Sequence, residues 1–242
     1  MLLRAVSDHE PEGAATSQVA RAAGLARPTT HRMLMALARE GLAERTALGR
    51  WVLGPELYLL GTTATPRYDV TAIAQPVVRR LSIATGESAF FSARRGDETI
   101  CLVREDGSFP IRSHVLREGI RFPLGVASAG LAILSYLSDE EVDDFLERHD
   151  LTADFGRQHS TEDVRARITA TRSTGWALNP GLVVEGSWGI AAAVFDSNER
   201  PAWALSLTGI EQRFRPRRHR ELGQLLLRHA HELSLMIRRS RP

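Results

Sequence analysis

Residues 16–50 constrain this chain more tightly than any other stretch. Val19, Ala20 and Ala23 fall on one face of a short helix, with Thr16 or Ser17 placed to cap it. Gly24 follows as a turn residue, able to take a left-handed conformation at little cost. A second helix is expected to start at Pro28, whose missing N–H is harmless in a first turn. Its apolar positions Met33, Leu34, Leu37 and Ala38 recur at helical spacing, which leaves Thr29, Thr30, His31 and Arg32 at an exposed start. Two helices around a glycine, the second opening on hydroxyls and arginines, form the helix-turn-helix pattern. Residues 41–45 and 50–53 then read as two short strands around Ala47, Leu48 and Gly49, a wing. A plain packed helical hairpin explains residues 16–40 equally well; the wing is what favours DNA.

Charge does not announce nucleic acid, since the net charge is only +2 and every basic side chain is arginine. Residues 1–62 hold seven arginines against six acids, so one copy makes few phosphate contacts and a homodimer, or a dimer of dimers, on repeated half-sites is expected. The arginines at 213, 215, 217, 218 and 220 read as a solvated helix start, with an auxiliary DNA patch as the alternative. No apolar run approaches the ~18 residues of a membrane span, and the first six residues are too short for an export signal, so the expected compartment is the cytoplasm, with no membrane partner. Cys101, alone of its kind, lies in a strand-like apolar run and reads as an inert core residue.

The rest of the 242-residue chain predicts a second domain. A break at Gly54 and Pro55 precedes a short linker helix over 56–61, and the polar stretch 62–66 marks the boundary, giving domains 1–54, 55–66 and 67–242. A helix from Asp69 carries Val70, Ile73, Ala74, Val77, Val78 and Leu81 on one side and is interrupted by Pro76. A hairpin is expected over 87–105, a further strand over 110–116, helices after Pro123 and over 139–148 and 160–174, and a closing helix over 216–238. Strands 188–196 and 201–208 each have a bulky face (Trp188, Ile190, Ala192, Val194; Trp203, Leu205, Leu207) and a small one (Gly189, Ala191, Ala193 and Phe195; Ala204, Ser206, Thr208). The small faces suit either a ligand pocket or close packing of a helix.

Catalytic signatures are missing. No Gly-Xaa-Ser-Xaa-Gly elbow, dinucleotide fingerprint or lysine-bearing phosphate loop occurs, and His229 and His231 sit on different faces of a helix, so neither cofactor nor metal is expected. An enzyme, or a ligand-sensing module that does not bind DNA, remains the alternative to a DNA-binding regulator.

Residues 19–25, 29–34, 40–42 and 50–54 resemble the IclR family of transcriptional regulators, and the likeness continues to Gly209. The resemblance implies an α+β chain: an N-terminal winged helix-turn-helix domain, a linker helix and a C-terminal GAF-like effector-binding domain. It implies double-stranded operator DNA as partner, met by Arg27, Pro28, Thr29, Thr30, His31, Arg32 and, from the wing, Arg50. It also implies a small-molecule effector held at Ser128, Ala129, Asn179, Gly189, Ser206 and Thr208. This chain departs from the family pattern in having Asn179 in place of a usual aspartate, Gly189 in place of a common cysteine, and Gly125 and Leu131 in place of a frequent His and Lys. With no arginine at these positions, a carboxylate would rely on backbone N–H groups around Ser128–Gly130, which suits an aromatic or aliphatic acid or similar amphiphile.

Overall fold

The computed structural model describes residues 1–64, 70–111 and 115–240. The chain divides into two compact units, Met1–Asp69 and Val70–Pro242.

In the first unit, helices α1 (Leu2–Ser7), α2 (Thr16–Ala23) and α3 (Arg27–Arg39) precede the antiparallel pair β1 (Ala43–Arg45) and β2 (Trp51–Leu53) and helix α4 (Glu56–Ala64). Gly24 ends α2 in the left-handed region at φ 62°, as the sequence requires. The cap of α2 differs from expectation: Ala15 is the capping residue, and its N–H donates to Gln18 Oε1 at 2.7 Å. Thr16 is freed for another task, accepting the indole N–H of Trp51 at 2.9 Å. Helix α3 buries Thr30 and Leu34 with Leu37 and Ala38 beside them, a 30–34–37–38 stripe, whereas Met33 is 46% exposed. The apolar stripe is thus rotated from the one expected, because Thr30 can enter the core once its hydroxyl donates to the Ala26 carbonyl at 3.1 Å.

Trp51 is fully buried and organises this small core, in which Leu2, Val6, Val19, Leu34 and Ala43 surround it. Its backbone also pairs with Ala14, with both N–H···O distances 2.8 Å. The linker helix is longer than expected: Thr62 and Thr63, read as boundary loop, are helical and return their hydroxyls to the Tyr58 and Leu59 carbonyls. Residues 65–69, including the expected Asp69 cap, lie outside the described residues.

The second unit is a six-stranded antiparallel sheet in the order β5-β4-β3-β8-β7-β6, built from β3 (Ser88–Arg95), β4 (Glu98–Glu105), β5 (Arg121–Pro123), β6 (Ala177–Pro180), β7 (Ser187–Phe195) and β8 (Pro201–Ile210). Helices α5 (Val70–Thr85) and α10 (Pro216–Ser240) cover one face. On the other lies α6 (Ser128–Leu134), backed by α7 (Asp139–Arg148), α8 (Thr152–Phe155) and α9 (Thr161–Thr174). The bulky faces of β7 and β8 meet α5 and α10, while Ala191 and Ala204 meet α6. Pro76 lies within α5 without ending it. The strand expected over 110–116 does not form at Pro110 and Ile111, which are in a bend, and residues 112–114 lie outside the described residues. Its place at the sheet edge is taken by β5, and the sequence reading also missed β6.

Two of the five tail arginines are structural, not solvated. Arg213 Nε and Arg218 Nη1 each donate to Oε1 of the buried Glu87 at 2.6 Å, and both also bond the Thr85 carbonyl. Glu87 thereby ties the start of α10 to the start of β3. Cys101 is buried beside Phe90 and Leu116, and burial, helped by the Glu118 carboxylate, pushes its thiol up to about 12. No helix among the described residues is long and apolar enough to cross a membrane.

Gly54 passes so close to the wing that a Cβ there would overlap the Gly41 carbonyl. Gly54→Ala is therefore expected to cost about 1–3 kcal/mol or more, read as a loss of denaturant stability confined to the first unit; an unchanged midpoint would show that the Gly41–Gly54 contact gives way easily.

Candidate functional site

Two surfaces collect the residues singled out from the sequence, one in each unit. In the first, α3 enters with Ala26 in extended conformation and Pro28 in its opening turn, so the side chains of Arg27, Pro28, His31 and Arg32 project on one exposed face. They line an open concavity of about 700 Å³ together with Thr16 and Arg45, and no carboxylate lines it. His31 meets Trp51 edge-on at 6.1 Å between ring centroids. Arg45 lies over the other side of that pivot, its guanidinium carbon 5.9 Å from the indole and its Nε donating to the Gly49 carbonyl.

Three of the residues expected on this face are placed differently. Thr30 is fully buried and spends its hydroxyl inside its own helix, so it belongs to the core. Thr29 is half-buried beside it. Arg50 is half-buried as well, and its Nε donates to the Gly13 carbonyl at 3.0 Å, fastening the wing to the segment before α2. The exposed wing cation is instead Arg45. Strand alternation gave no signal for it: Arg45 shares a face with the buried Ala43, yet it is exposed because β1 ends there.

The second surface follows from sheet register. Asn179 pairs with Gly189, and Gly189 with Thr208, so the three share one row on the small face. Ser128 opens α6 directly above this row, where a Cβ on Gly189 would stand 2.9 Å from its hydroxyl. A side chain at 189 would oblige the Ser128 hydroxyl to turn aside, whereas the next contact, Ser128 Cβ at 3.6 Å, is ordinary packing. Ser128, Asn179, Gly189 and Thr208 enclose a small cavity of about 20 Å³, walled by Val115, Leu116, Val183 and Trp188. Ala129 and Ser206 are buried but do not line it. Val115, Leu116 and Val183 come from segments between strands, which no periodic pattern marks, whereas Trp188 belongs to β7.

Asn179 is a structural tie. Its amide N–H₂ donates to the Val126 carbonyl at 2.8 Å, and its oxygen accepts the Leu182 N–H at 2.9 Å. An aspartate could not make the first bond, which accounts for the amide here. Thr208 is different: it is 6% exposed, and its hydroxyl has no hydrogen-bond partner. The same is true of the Ser206 hydroxyl, two pairs along on the same face. At the opening of α6, the N–H groups of Ser128, Ala129 and Gly130 precede the first intrahelical bond, which runs from Leu131 N–H to the Ala127 carbonyl at 3.0 Å. The cavity therefore offers donors and unused hydroxyls but no charged side chain. No group of three or more His, Cys, Asp or Glu side chains converges in metal-binding fashion among the described residues.

Comparison with known proteins agrees with both halves. A model of the IclR helix-turn-helix domain matches residues 1–47, and one of the bacterial transcriptional regulator IclR C-terminal domain matches residues 62–235. Over 227 residues the chain is 26% identical to the acetate operon repressor of Salmonella typhimurium, covering 91% of this chain and 82% of that protein. Over 199 residues it is 26% identical to the HTH-type transcriptional regulator KipR of Bacillus subtilis, covering 82% and 79%. The fold is similar to that of an IclR transcriptional regulator from Alicyclobacillus acidocaldarius (TM-score 0.82, 22% identity, 98% and 95% covered). It is also similar to that of an IclR homolog from Microbacterium hydrocarbonoxydans solved with 4-hydroxybenzoate (TM-score 0.79, 21% identity, 98% of each chain covered). These relatives are regulators of transcription and not enzymes. The chain belongs to the IclR family: it is a ligand-responsive, DNA-binding transcriptional regulator with a winged helix-turn-helix domain followed by an effector-binding domain.

Proposed function

We propose that this regulator binds operator DNA as a homodimer through Arg27, Pro28, His31 and Arg32 of α3, with Arg45 of the wing as the added contact. The observation that carries this reading is the convergence of three arginines and a histidine on one carboxylate-free concavity. Arginine on an exposed recognition helix suits both phosphate oxygens and guanine edges, while Arg45 is positioned to grip backbone or minor groove. Thr30 and Arg50, held by internal hydrogen bonds, support the domain from within.

Replacing Arg32 by Ala is expected to weaken operator binding by about 1–3 kcal/mol if it reads a base bidentately. Arg45→Ala should weaken specific and non-specific binding alike and reduce the salt slope by about one. Thr30→Val should leave operator affinity unchanged. Gel-shift titrations over a salt series distinguish the three, and normal binding by folded Arg32→Ala protein would refute the assignment of the recognition helix.

A dimer is supported by α4, where the consecutive residues Tyr58, Leu59 and Leu60 are 77%, 54% and 50% exposed. So much apolar surface on one short helix is covered economically by a second copy, in keeping with the modest charge of each DNA-binding domain. Leu59→Glu with Leu60→Glu is expected to shift sedimentation to the monomer and to lower operator affinity together. A double variant that sediments as wild type would place the dimer contact elsewhere.

The effector we assign to the Ser128–Thr208 cavity is a small aromatic or aliphatic acid. Support comes from the partnerless Thr208 hydroxyl, the free amides at the start of α6 and the apolar walls. The homolog solved with 4-hydroxybenzoate shows that a chain of this fold accepts such a molecule. Small-molecule sites enclose about 300–1,000 Å³, so the Leu116 and Val183 walls must move apart on binding.

Thr208→Val removes the unsatisfied hydroxyl at nearly constant shape. It is expected to stabilise the unliganded protein by about 1 kcal/mol while weakening binding of aromatic acids such as 4-hydroxybenzoate. Thermal melts and calorimetry measure the two effects, and undiminished acid binding by the variant would move the acid away from Thr208.

A further inference from the structure

We propose that the effector-binding domain carries a second ligand site, on the opposite side of strand β6 from the Ser128–Thr208 cavity, that takes a small aromatic anion. The site is a surface cavity of about 450 Å³ between β6, the end of α9 and the first turn of α10, within the span typical of small-molecule sites, about 300–1,000 Å³. One wall is apolar and flat, made by Trp176, Leu178 and Pro180. The other is made by Arg167, His219 and Arg220, of which the two arginines are cationic, and no carboxylate lines the cavity.

Arg167 is what makes this more than a surface groove. Its Nη1 donates to the Gln158 carbonyl at 2.7 Å, but Nε and Nη2 are buried and have no hydrogen-bond partner. Asp163, one turn earlier on α9, acts on the guanidinium through space only; its own carboxylate accepts the Ser160 hydroxyl at 2.6 Å in the helix cap. A half-buried guanidinium with two idle donors is costly to keep. Burial accordingly pulls the Arg167 pKa down, and an anion that drew the guanidinium round to face the cavity would reverse that penalty. Planar carboxylates and sulfonates match the guanidinium fork, and the Trp176 indole offers a face for an aromatic body.

Alternation along β6 sets this cavity against the first. Asn179 points to the α6 side and lines the Ser128–Thr208 cavity, while its neighbours Leu178 and Pro180 line this one. Beside them, His219 of this cavity stacks on Trp188 of the other at 5.3 Å between centroids. Two ligands would therefore press on the two faces of one four-residue edge strand.

Naphthalene-2-sulfonate, an anion at every working pH, is a suitable probe for calorimetry and tryptophan quenching on the full-length protein. We expect Arg167→Met, which keeps the apolar stem, to weaken binding about tenfold or more. Ala170→Trp, an exposed α9 position on the cavity rim, should block the probe without touching the core. Thr208→Val should leave probe binding unchanged, and neutral naphthalene-2-methanol should bind far more weakly than the sulfonate. Loss of probe binding in Thr208→Val with retention in Ala170→Trp would overturn the proposal, as would absence of binding to wild type or equal binding of the neutral alcohol.

Discussion

The unequal bulk of the two faces of β7 and β8 is the constraint on which the effector-binding domain depends. Ile190, Ala192, Val194, Trp203, Leu205 and Leu207 fill the space under α5 and α10, where two long helices need wide side chains to rest on. On the reverse, Gly189, Ala191 and Ala204 lie under α6, so near that a Cβ at 189 would press on the Ser128 hydroxyl. The same choice serves packing and pocket at once. Small residues bring the free amides of a helix start down to the sheet, and Thr208 stands where helix and sheet leave a gap. Buried helix starts need partners, and in this row the nearest polar side chains are the ones with bonding capacity to spare.

An analogous economy holds in the DNA-binding domain, with Trp51 as its centre. One indole supplies core volume, a hydrogen bond to Thr16 of α2, an edge for His31 of α3 and a face for Arg45 of β1. Helix α3 and the wing are thereby held in register by a single side chain, with Arg50 fastening the strand from behind. Preorganisation of this kind matters for DNA, because each guanidinium that must be ordered on binding subtracts side-chain entropy from the contact it makes.

Much of this arrangement was legible in the sequence, for reasons that also explain the gaps. Glycine at 24, proline at 28 and the alternation in β7 and β8 are local signals with one physical meaning each, and the structure honours all three. Thr30 was misread because hydropathy treats a hydroxyl as solvent-seeking, although one bond to the Ala26 carbonyl makes it a core residue. Met33 was misread by the converse rule, since an unbranched apolar chain is tolerated at an exposed position. Arg213 and Arg218 looked solvated because their partner, Glu87, lies far away in sequence and only the fold unites them. Strands β5 and β6 are three and four residues long, too short for any periodicity to declare itself. The cavity walls at Val115, Leu116 and Val183 belong to irregular segments, where side-chain direction is set by tertiary contacts alone.

A regulator of this kind works only if its effector binds one state of the protein better than another. Useful coupling is typically about 1–3 kcal/mol, and the cost of one buried, unsatisfied hydroxyl is also about 1–3 kcal/mol. Thr208, in the cavity wall, is one such group, and Ser206, two pairs along the same two strands, is another. A ligand that satisfied even one of them would gain, in the state that exposes it, a differential affinity of the size required. A sealed apolar cavity would lack this lever, because a ligand could gain there only area that packing already uses. Fully satisfied hydroxyls would lack it too, since binding would exchange one hydrogen bond for another. The row Asn179–Gly189–Thr208, tied at one end and unsatisfied at the other, thus holds the kind of imperfection from which a ligand could draw a differential affinity.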